Sequence, residues 1–478
     1  MMEIKNQIVK NLDKVLNEYT VKNYIPGLAV GVVYDNEVIY TKGFGVKNIE
    51  TKEKVDEYSL FHMASVSKTF VVTGIMQLVE QGKIKLDSHL IEYLPYFELK
   101  DDRYKKITIR QMLSHISGMP DEEDYEWDKP QYDAGALERY VRSLKDKELM
   151  WEPGEKFAYS NIAFEILGDV IAKVSGVSFE DYMKENILDV LKMKESNFLK
   201  PLVSKELLTS PHILGIENPY GAKVSEVFPY NRAHGPSSTL CSNVVELCNY
   251  AIANMNEGRF EKTKILEANS YEELWKQQAV TGWGGYTSQI GLAWFLGEYK
   301  GNKVRSHNGG DTGFRSNLIT LPERGIAIAI MANSDYMSLN NLCTNILDIV
   351  LGDKIEAIKE SFAHYIAKRM INDGYEMAVK EYYEIKENSM GKYFVNEGEL
   401  NILAYALLEY NNIKAIDLLK ISIIVFPESS NLYDSLGEIY LINGDKDLAL
   451  ESYKKSVELD PKNIRGKKIL EKLISENK

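Results

Sequence analysis

Residues 61–70 read FHMASVSKTF and lie where a mixed segment gives way to a helical one. Residues 71–82 have apolar side chains at helical spacing and end in glycine, which predicts a helix that begins near Ser65. Ser65 and Lys68 then share one helix face. The first turn of a helix also offers free N–H groups and partial positive charge. The stretch therefore predicts a serine nucleophile with an amine beside it and a backbone donor for a developing oxyanion.

The composition is that of an ordinary globular protein, with 478 residues, 44% hydrophobic and 27% charged. A formal net charge of −13 disfavours nucleic acid and anionic membrane as partners, because both reward a basic surface. No apolar run is long enough for a signal peptide or a membrane span, so we expect a cytoplasmic protein. Cys241, Cys248 and Cys343 have no metal-ligand spacing, and we expect buried, reduced thiols and neither metal nor cofactor.

Strand patterns occur at both ends of residues 1–352, with helices between them. A helix is expected over 1–23 and another over 339–351, and residues 84–240 read as mainly helical. The predicted strands are 28–34, 37–44, 291–296, 304–307, 314–321 and 326–332. The natural closure is an α+β fold, in which an antiparallel sheet built from both ends is flanked by helices and covered on one face by an all-helical insertion. The site would lie between sheet and insertion.

The texture changes at Asp353, after which the pattern is helical to residue 478. Pro427 and Pro461 are 34 residues apart, and the same offset relates Ala415 to Ala449. This period resembles the tetratricopeptide repeat, and a weaker copy surrounds residues 374–382. We therefore expect a first domain over 1–352 and a helical repeat domain over 353–478.

Three short motifs differ in how specifically they indicate a functional site. Ser-x-x-Lys occurs four times, but three copies lie in the Lys-rich helical tail, at 389–392, 452–455 and 475–478. Tyr-x-Asn occurs three times, and only 159–161 follows a Pro-Gly turn at a helix start. His-x-Gly occurs once, as HNGG at 307–310, where paired glycines permit close approach of a ligand or another backbone.

Together, in this order, these motifs resemble the serine β-lactamase and penicillin-binding-protein-like hydrolases, in particular their class C β-lactamase-like branch. The resemblance covers about residues 8–350. The segments that carry it are GLAVG (27–31) with GFG (43–45), LSHISG (113–118), PG (153–154) before YSN (159–161), and HNGG (307–310).

The resemblance implies three catalytic residues. Ser65 would be the nucleophile. Lys68 would be its basic neighbour, kept partly neutral by burial and by other positive charge. Tyr159 would carry the proton between Ser65 and the leaving group.

It also implies residues that bind the substrate. Asn161 would hold a substrate carbonyl or amide, and His307 and Gly309 would lie along the bound substrate. The N–H groups of Ser65 and Gly310 would form the oxyanion hole. His307 stands where β-lactamases of this branch have the lysine of Lys-Thr-Gly, which resembles D-peptide-cleaving peptidases and esterases more than efficient β-lactamases.

The leading hypothesis is a serine hydrolase that forms an acyl-enzyme on an amide or ester of a small molecule or short peptide. β-Lactamase or penicillin-binding activity is one alternative, and a partner-binding protein recruited through its repeats is another. The tail could instead cover an apolar face or make a dimer contact, and the oligomeric state stays open. The Ser114-His115 pair reads as a supporting turn, and 283–286 as either a pocket wall or a packed loop.

Overall fold

The computed structural model describes residues 2–23, 25–122, 124–215, 222–354 and 357–476. The α-helices are α1 (Met2–Lys22), α2 (Ser67–Glu80), α3 (Ile109–Leu113), α4 (Ala136–Ser143), α5 (Asn161–Ser175), α6 (Phe179–Met183), α7 (Gly235–Ser238), α8 (Val244–Met255), α9 (Ala268–Leu274), α10 (Asn340–Leu351), α11 (Phe362–Asp373), α12 (Tyr375–Asn388), α13 (Glu397–Leu408), α14 (Asn412–Val425), α15 (Ser430–Asn443), α16 (Lys446–Leu459) and α17 (Ile464–Glu476).

The strands are β1 (Gly27–Tyr34), β2 (Glu37–Gly45), β3 (Phe61–His62), β4 (His212–Leu214), β5 (Ala222–Val224), β6 (Cys241–Ser242), β7 (Arg259–Phe260), β8 (Thr263–Lys264), β9 (Ala279–Val280), β10 (Gln289–Ile290), β11 (Phe295–Tyr299), β12 (Asn302–Asp311), β13 (Phe314–Leu321), β14 (Ile326–Ala332), β15 (Glu360–Ser361) and β16 (Tyr393–Phe394).

Eight of these strands form one antiparallel sheet in the order β2-β1-β14-β13-β12-β11-β10-β9. β1 lies beside β14, with Leu28 opposite Ala332, so strands from the two ends of residues 1–352 pair with each other inside the sheet. The helices α2 to α6 lie between the two sets of strands in sequence. The predicted α+β fold is therefore confirmed.

The hairpin β1–β2 closes as the sequence predicts. Asp35 and Asn36 both have positive φ, 56° and 58°, as a two-residue turn of right-twisted strands requires. The predicted strand over 291–296 is wrong. The Gly291 N–H donates to the Trp294 carbonyl at 2.8 Å and Ala293 has a φ of 61°, so this apolar run is a turn and the strand begins at Phe295.

The two faces of the sheet bury different partners because side chains alternate along each strand. One face of β1, with Ala29 and Val33, belongs to a core shared with α2, α5 and α8. The opposite face, with Val30 and Val32, packs with α1 and α10. The stretch around Ser65 lies on the first of these faces, between sheet and insertion.

The tail packs as paired helices, and α14 and α16 start 34 residues apart, as the repeat predicts. Its core includes Phe362 together with Leu214 and Tyr336 from earlier in the chain. The Ser361 N–H also donates to the Asn23 side chain at 3.2 Å. The tail therefore packs against the first 352 residues. Within the described ranges, no helix is both long and apolar enough to cross a bilayer.

Candidate active site

Ser65 lies in a 3₁₀ turn, Ala64–Val66, directly before α2. The helix thus begins two residues later than predicted. Ala64 has a φ of 46°, a strained conformation for alanine, and such strain is held in place only where surrounding packing enforces it. As a residue of the first turn, Ser65 has an N–H with no acceptor inside that turn. The turn therefore presents both the hydroxyl and a free backbone donor.

Lys68 is fully buried in the first turn of α2 and makes three hydrogen bonds. Its ammonium donates to Ser65 Oγ at 3.0 Å, to Asn161 Oδ1 at 2.5 Å and to the Ser237 carbonyl at 2.9 Å. These contacts fix the amine against the serine. They also join three segments that are far apart in sequence.

Burial lowers the pKa of Lys68 to about 8, because the charged amine is removed from water. The charges that act on it are the carboxylates of Glu165, Asp121 and Asp311, and they oppose this shift. The expectation that other positive charge helps to keep Lys68 neutral is therefore wrong. Burial alone lowers its pKa.

Tyr159 comes directly before the Ser160 N-cap of α5, whose hydroxyl accepts the Ala163 N–H at 3.2 Å. Its ring stacks on His115 with centroids 4.2 Å apart, and His115 Nδ1 accepts the Ser160 N–H at 3.1 Å. The turn at Ser114-His115 thus supports the site, as the sequence suggests. Burial raises the pKa of Tyr159, and a hydrogen bond with the Ser65 side chain only partly opposes this. The group beside Ser65 is a neutral phenol.

Asn161 is held from both sides. Its Oδ1 accepts from Lys68, and its Nδ2 donates to Asp121, at 3.0 Å from Oδ1 and 3.3 Å from Oδ2. The Asn161 backbone N–H donates to Asp121 Oδ1 at 2.8 Å. An ammonium on one side and a carboxylate on the other leave one chemically sensible orientation for this amide.

His307 lies on β12. Among the described strands, β11 pairs with residues 302–306 of β12, and this pairing ends just before His307. Its Nδ1 donates to the Asn308 carbonyl at 2.7 Å, so Nε2 carries the lone pair. Burial, with a smaller effect of Lys68, lowers the pKa of His307 to about 3. His307 is therefore neutral at physiological pH.

The glycines after His307 allow β12 to approach the turn that carries Ser65. A Cβ on Gly309 would lie 2.9 Å from the Ser65 nitrogen, and the Ser316 hydroxyl donates to the Met63 carbonyl at 2.6 Å. Asp311 closes a two-residue hairpin with Phe314. The alternation of an antiparallel ladder then directs the Gly310 N–H away from β13, toward the open edge of β12.

The predicted residues Ser65, Lys68, Tyr159 and Asn161 lie in one connected cluster, and Gly309 abuts it. The rings of His115 and Tyr159 form an aromatic wall of this cluster. His307 extends this wall, and its ring centroid lies 6.3 Å from that of Tyr159. The loop at 283–286 also contributes, because the Trp283 ring lies 6.2 Å from Tyr159.

Sequence reasoning missed three groups in this cluster. Ser237 acts through its carbonyl, so no side-chain pattern could reveal it. Asp121 is one of several acids in an acidic loop and has no distinguishing spacing. Asp311 pairs with His62 at 2.7 Å, a contact that joins residues 249 positions apart. Within the described residues, no group of three His, Cys, Asp or Glu side chains is arranged to hold a metal ion.

Both parts of the chain are similar to known proteins. The profile of the family described as Beta-lactamase matches residues 7–350, and a Tetratricopeptide repeat profile matches residues 430–463. Protein flp of Staphylococcus aureus (strain MW2) is 25% identical over 338 residues, which are 70% of this chain and 65% of that protein. The chain thus spans less than two thirds of that relative's length.

Two further relatives are named for penicillin binding. Penicillin-binding protein 4 of Amycolatopsis lactamdurans is 26% identical over 318 residues, 65% of this chain and 82% of that protein. The structure of the octameric penicillin-binding protein homologue from Pyrococcus abyssi superposes with a TM-score of 0.64 at 25% identity, over 76% of this chain and 81% of that one.

Proposed function

The chain belongs to the beta-lactamase family, and we propose that it is a serine hydrolase that forms an acyl-enzyme on Ser65 and cleaves an amide or ester. The observation that carries the proposal is the buried Lys68 amine, 3.0 Å from Ser65 Oγ. A lysine whose pKa is lowered to about 8 is neutral in an appreciable fraction of molecules at neutral pH. That fraction can act as a general base toward the serine hydroxyl.

In the acylation step, neutral Lys68 takes the Ser65 proton as Oγ bonds to the substrate carbonyl carbon. Tyr159, as a neutral phenol, relays a proton to the leaving amine or alcohol as its bond to that carbon breaks. The N–H groups of Ser65 and Gly310 stabilise the oxyanion, and one such donor contributes about 3 kcal/mol in other acyl-transfer enzymes. Water then hydrolyses the ester by the reverse proton path.

The open edge of β12 from His307 to Asp311 is where we place the substrate, because an extended chain can pair with a free strand edge. Gly309 permits close approach there, and neutral His307 offers a lone pair instead of a fixed charge. The lack of a cation at this position favours a D-peptide peptidase or an esterase over a β-lactamase. Penicillin binding remains the second candidate, because two relatives carry that name.

Labelling with a fluorescent penicillin and with a fluorophosphonate tests the assignment and separates the candidates. Both probes should fail on the Ser65→Ala variant, because each reports a covalent bond to the nucleophile. Labelling of the unmodified protein by both probes would favour a penicillin-recognising peptidase, and labelling by the fluorophosphonate alone would favour an esterase or amidase. Equal labelling of Ser65→Ala would refute the proposal.

For the tail, we propose a domain over 353–478 that covers an apolar face of the hydrolase domain. Leu214 and Tyr336 share its core with Phe362, which supports this role. A peptide or protein partner on the repeats is the alternative, and the tetratricopeptide profile at 430–463 favours it. Removal of 353–478 separates the two roles. Aggregation of the truncated chain supports the covering role, whereas a stable, active hydrolase supports the partner role.

A further inference from the structure

The Asn161 side chain, which is expected to bind the substrate's acyl group, already makes hydrogen bonds within the protein. Asn161 Oδ1 accepts from Lys68, and Asn161 Nδ2 donates to the Asp121 carboxylate, so a substrate group that approaches this amide meets a carboxylate directly beside it. The Asp121 carboxylate, which is exposed, stands beside it. On this side of the site, the protein therefore presents an acceptor with negative charge beside the expected amide donor.

The Asp121 carboxylate differs from the other carboxylates near Lys68 in its basic neighbours. Asp311 has His62 at 2.7 Å, and Glu165 has His234 at 3.3 Å, so both of these carboxylates have a local basic partner. Among the described residues, Asp121 has no lysine, arginine or histidine within ion-pair distance, and Asn161 is its neutral neighbour.

None of the other residues named in this cluster places an exposed cation on the surface of the cleft. Lys68 is buried behind Ser65 and Asn161. His307 is neutral, for the reasons given above. A substrate carboxylate would thus meet a negative group with no exposed cation beside it, whereas an ammonium would gain a charge-assisted hydrogen bond.

Aromatic faces near Asp121 also suit a cation. The Tyr159 ring forms a wall with Trp283, and Trp283 is 46% exposed. Tyr125 stacks on Trp127 in the loop that follows Asp121, with ring centroids 4.9 Å apart. An exposed aromatic face such as that of Trp283 attracts ammonium groups and gives no such attraction to carboxylates.

We propose that Asp121 is a specificity residue that binds a protonated amine on the acyl side of the scissile bond. This inference rests on the proposed hydrolase function. The substrate class is then an amide or ester whose acyl group carries a free amine, such as the N-terminal residue of a short peptide or an amino acid ester. Ser65 Oγ bonds to that residue's carbonyl carbon, the leaving amine or alcohol departs with a proton, and water releases the free amino acid.

The test uses a matched pair of substrates, an aminoacyl p-nitroanilide with a free amine and its N-acetylated form, in both D and L configurations. At pH 7, the full chain should show a kcat/KM for the free amine that is about tenfold to a hundredfold higher, the range of a hydrogen bond between charged groups. The Asp121→Asn variant should bring this ratio close to one. Because the readout is a ratio, a general loss of activity in the variant cancels.

Two further variants keep the test decisive. Asp121→Glu retains the charge and should keep part of the preference, which a merely structural role for Asp121 would not predict. Asp124→Asn removes an exposed charge from the same loop and should leave the ratio unchanged. A melting curve and fluorophosphonate labelling of Ser65 report whether each variant is folded.

The outcomes separate this inference from the function beneath it. If p-nitrophenyl acetate is hydrolysed but the acetylated anilide is cleaved as well as the free amine, the amine specificity is wrong and the hydrolase stands. An unchanged ratio in Asp121→Asn would likewise overturn the role of Asp121. If Ser65 is not labelled and no ester is turned over, the proposed function fails, and this inference fails with it.

Discussion

Two Ser-x-x-Lys sequences of this chain lie at helical spacing but in opposite surroundings. In the first, Lys68 is fully buried and donates to Ser65 Oγ, and burial lowers its pKa. In the second, on α16, the Lys455 side chain is 40% exposed, and a hydrogen bond with Glu458 raises its pKa. Spacing brings serine and lysine near one another in both cases, but only burial makes the amine a base.

The serines differ as much as the lysines do. Ser452 donates its hydroxyl to the Leu448 carbonyl of its own helix at 2.8 Å, a common way for a helical serine to satisfy its hydrogen bond. Ser65 instead stands outside α2, in a turn held by the strained Ala64. A reactive serine therefore needs a position where the helix backbone does not compete for its hydroxyl.

Removal of the two hydroxyls should give the largest contrast. Ser65→Ala should reduce turnover of p-nitrophenyl acetate on the order of 10⁴-fold or more, because loss of a nucleophile removes the acyl-enzyme path. Ser452→Ala should leave turnover within twofold. Both rates are measured at pH 8 after subtraction of the uncatalysed reaction. Comparable rates for the two variants would remove the distinction between the sequences.

Replacement of the lysines should give the next largest effect. Lys68→Met should reduce kcat about 10²- to 10⁴-fold, the usual contribution of a general base, and should also lower the melting temperature. The stability loss follows because Asn161 Oδ1 and the Ser237 carbonyl lose their buried donor. Lys455→Met should change neither quantity. Full activity of Lys68→Met with an intact fold would exclude Lys68 as the base.

A methyl group on β12 tests how closely the strand approaches the nucleophile. Gly309→Ala places a Cβ 2.9 Å from the Ser65 nitrogen, which forces strand and turn apart and should reduce kcat/KM about tenfold to a hundredfold. Gly391→Ala is the matched control, because it lies inside a tail Ser-x-x-Lys and its Cβ would meet open space. Steady-state kinetics on both variants, with melting curves, checks this. Equal activity of the two would show that the close approach has no catalytic importance.

Much of the fold could be predicted from the sequence because its signals are local. Strand alternation and the Asp35-Asn36 turn are decided by near neighbours, and so is the 34-residue repeat. The prediction of a strand at 291–296 is wrong because a short apolar run by itself does not distinguish a strand from a buried turn. Ala293 adopts a left-handed conformation there, and the run turns back on itself.

In the candidate site too, local features could be predicted from the sequence and long-range contacts could not. The motifs around Ser65 and Tyr159 identify their side chains directly. The environment of Lys68 could not be predicted, because Glu165, Asp121 and Asp311 reach it through long-range packing. For that reason, the expectation that nearby positive charge lowers the pKa of Lys68 is wrong. Sequence spacing reports which groups are present, whereas the sign of the charge around them depends on the folded chain.

The pH profile measures the two lysine environments most finely. With a pKa of about 8, the neutral fraction of Lys68 rises about tenfold from pH 6 to pH 7 and levels off above about pH 9. The kcat/KM for p-nitrophenyl acetate, a substrate without a titrating amine, should follow that rise. Lys455 has its pKa raised and should contribute nothing, so Lys455→Met should give a superimposable profile.

The smallest expected effect is a displacement of that profile. The Asp121 carboxylate favours the charged form of Lys68, so Asp121→Asn should lower the pKa of Lys68 and move the rising limb to lower pH. The shift should be less than about one pH unit, because Glu165 and Asp311 remain and burial has the largest effect. A shift to higher pH would mean that the titrating group is not an amine beside a carboxylate, and Lys68 would then not be the base that sets the profile.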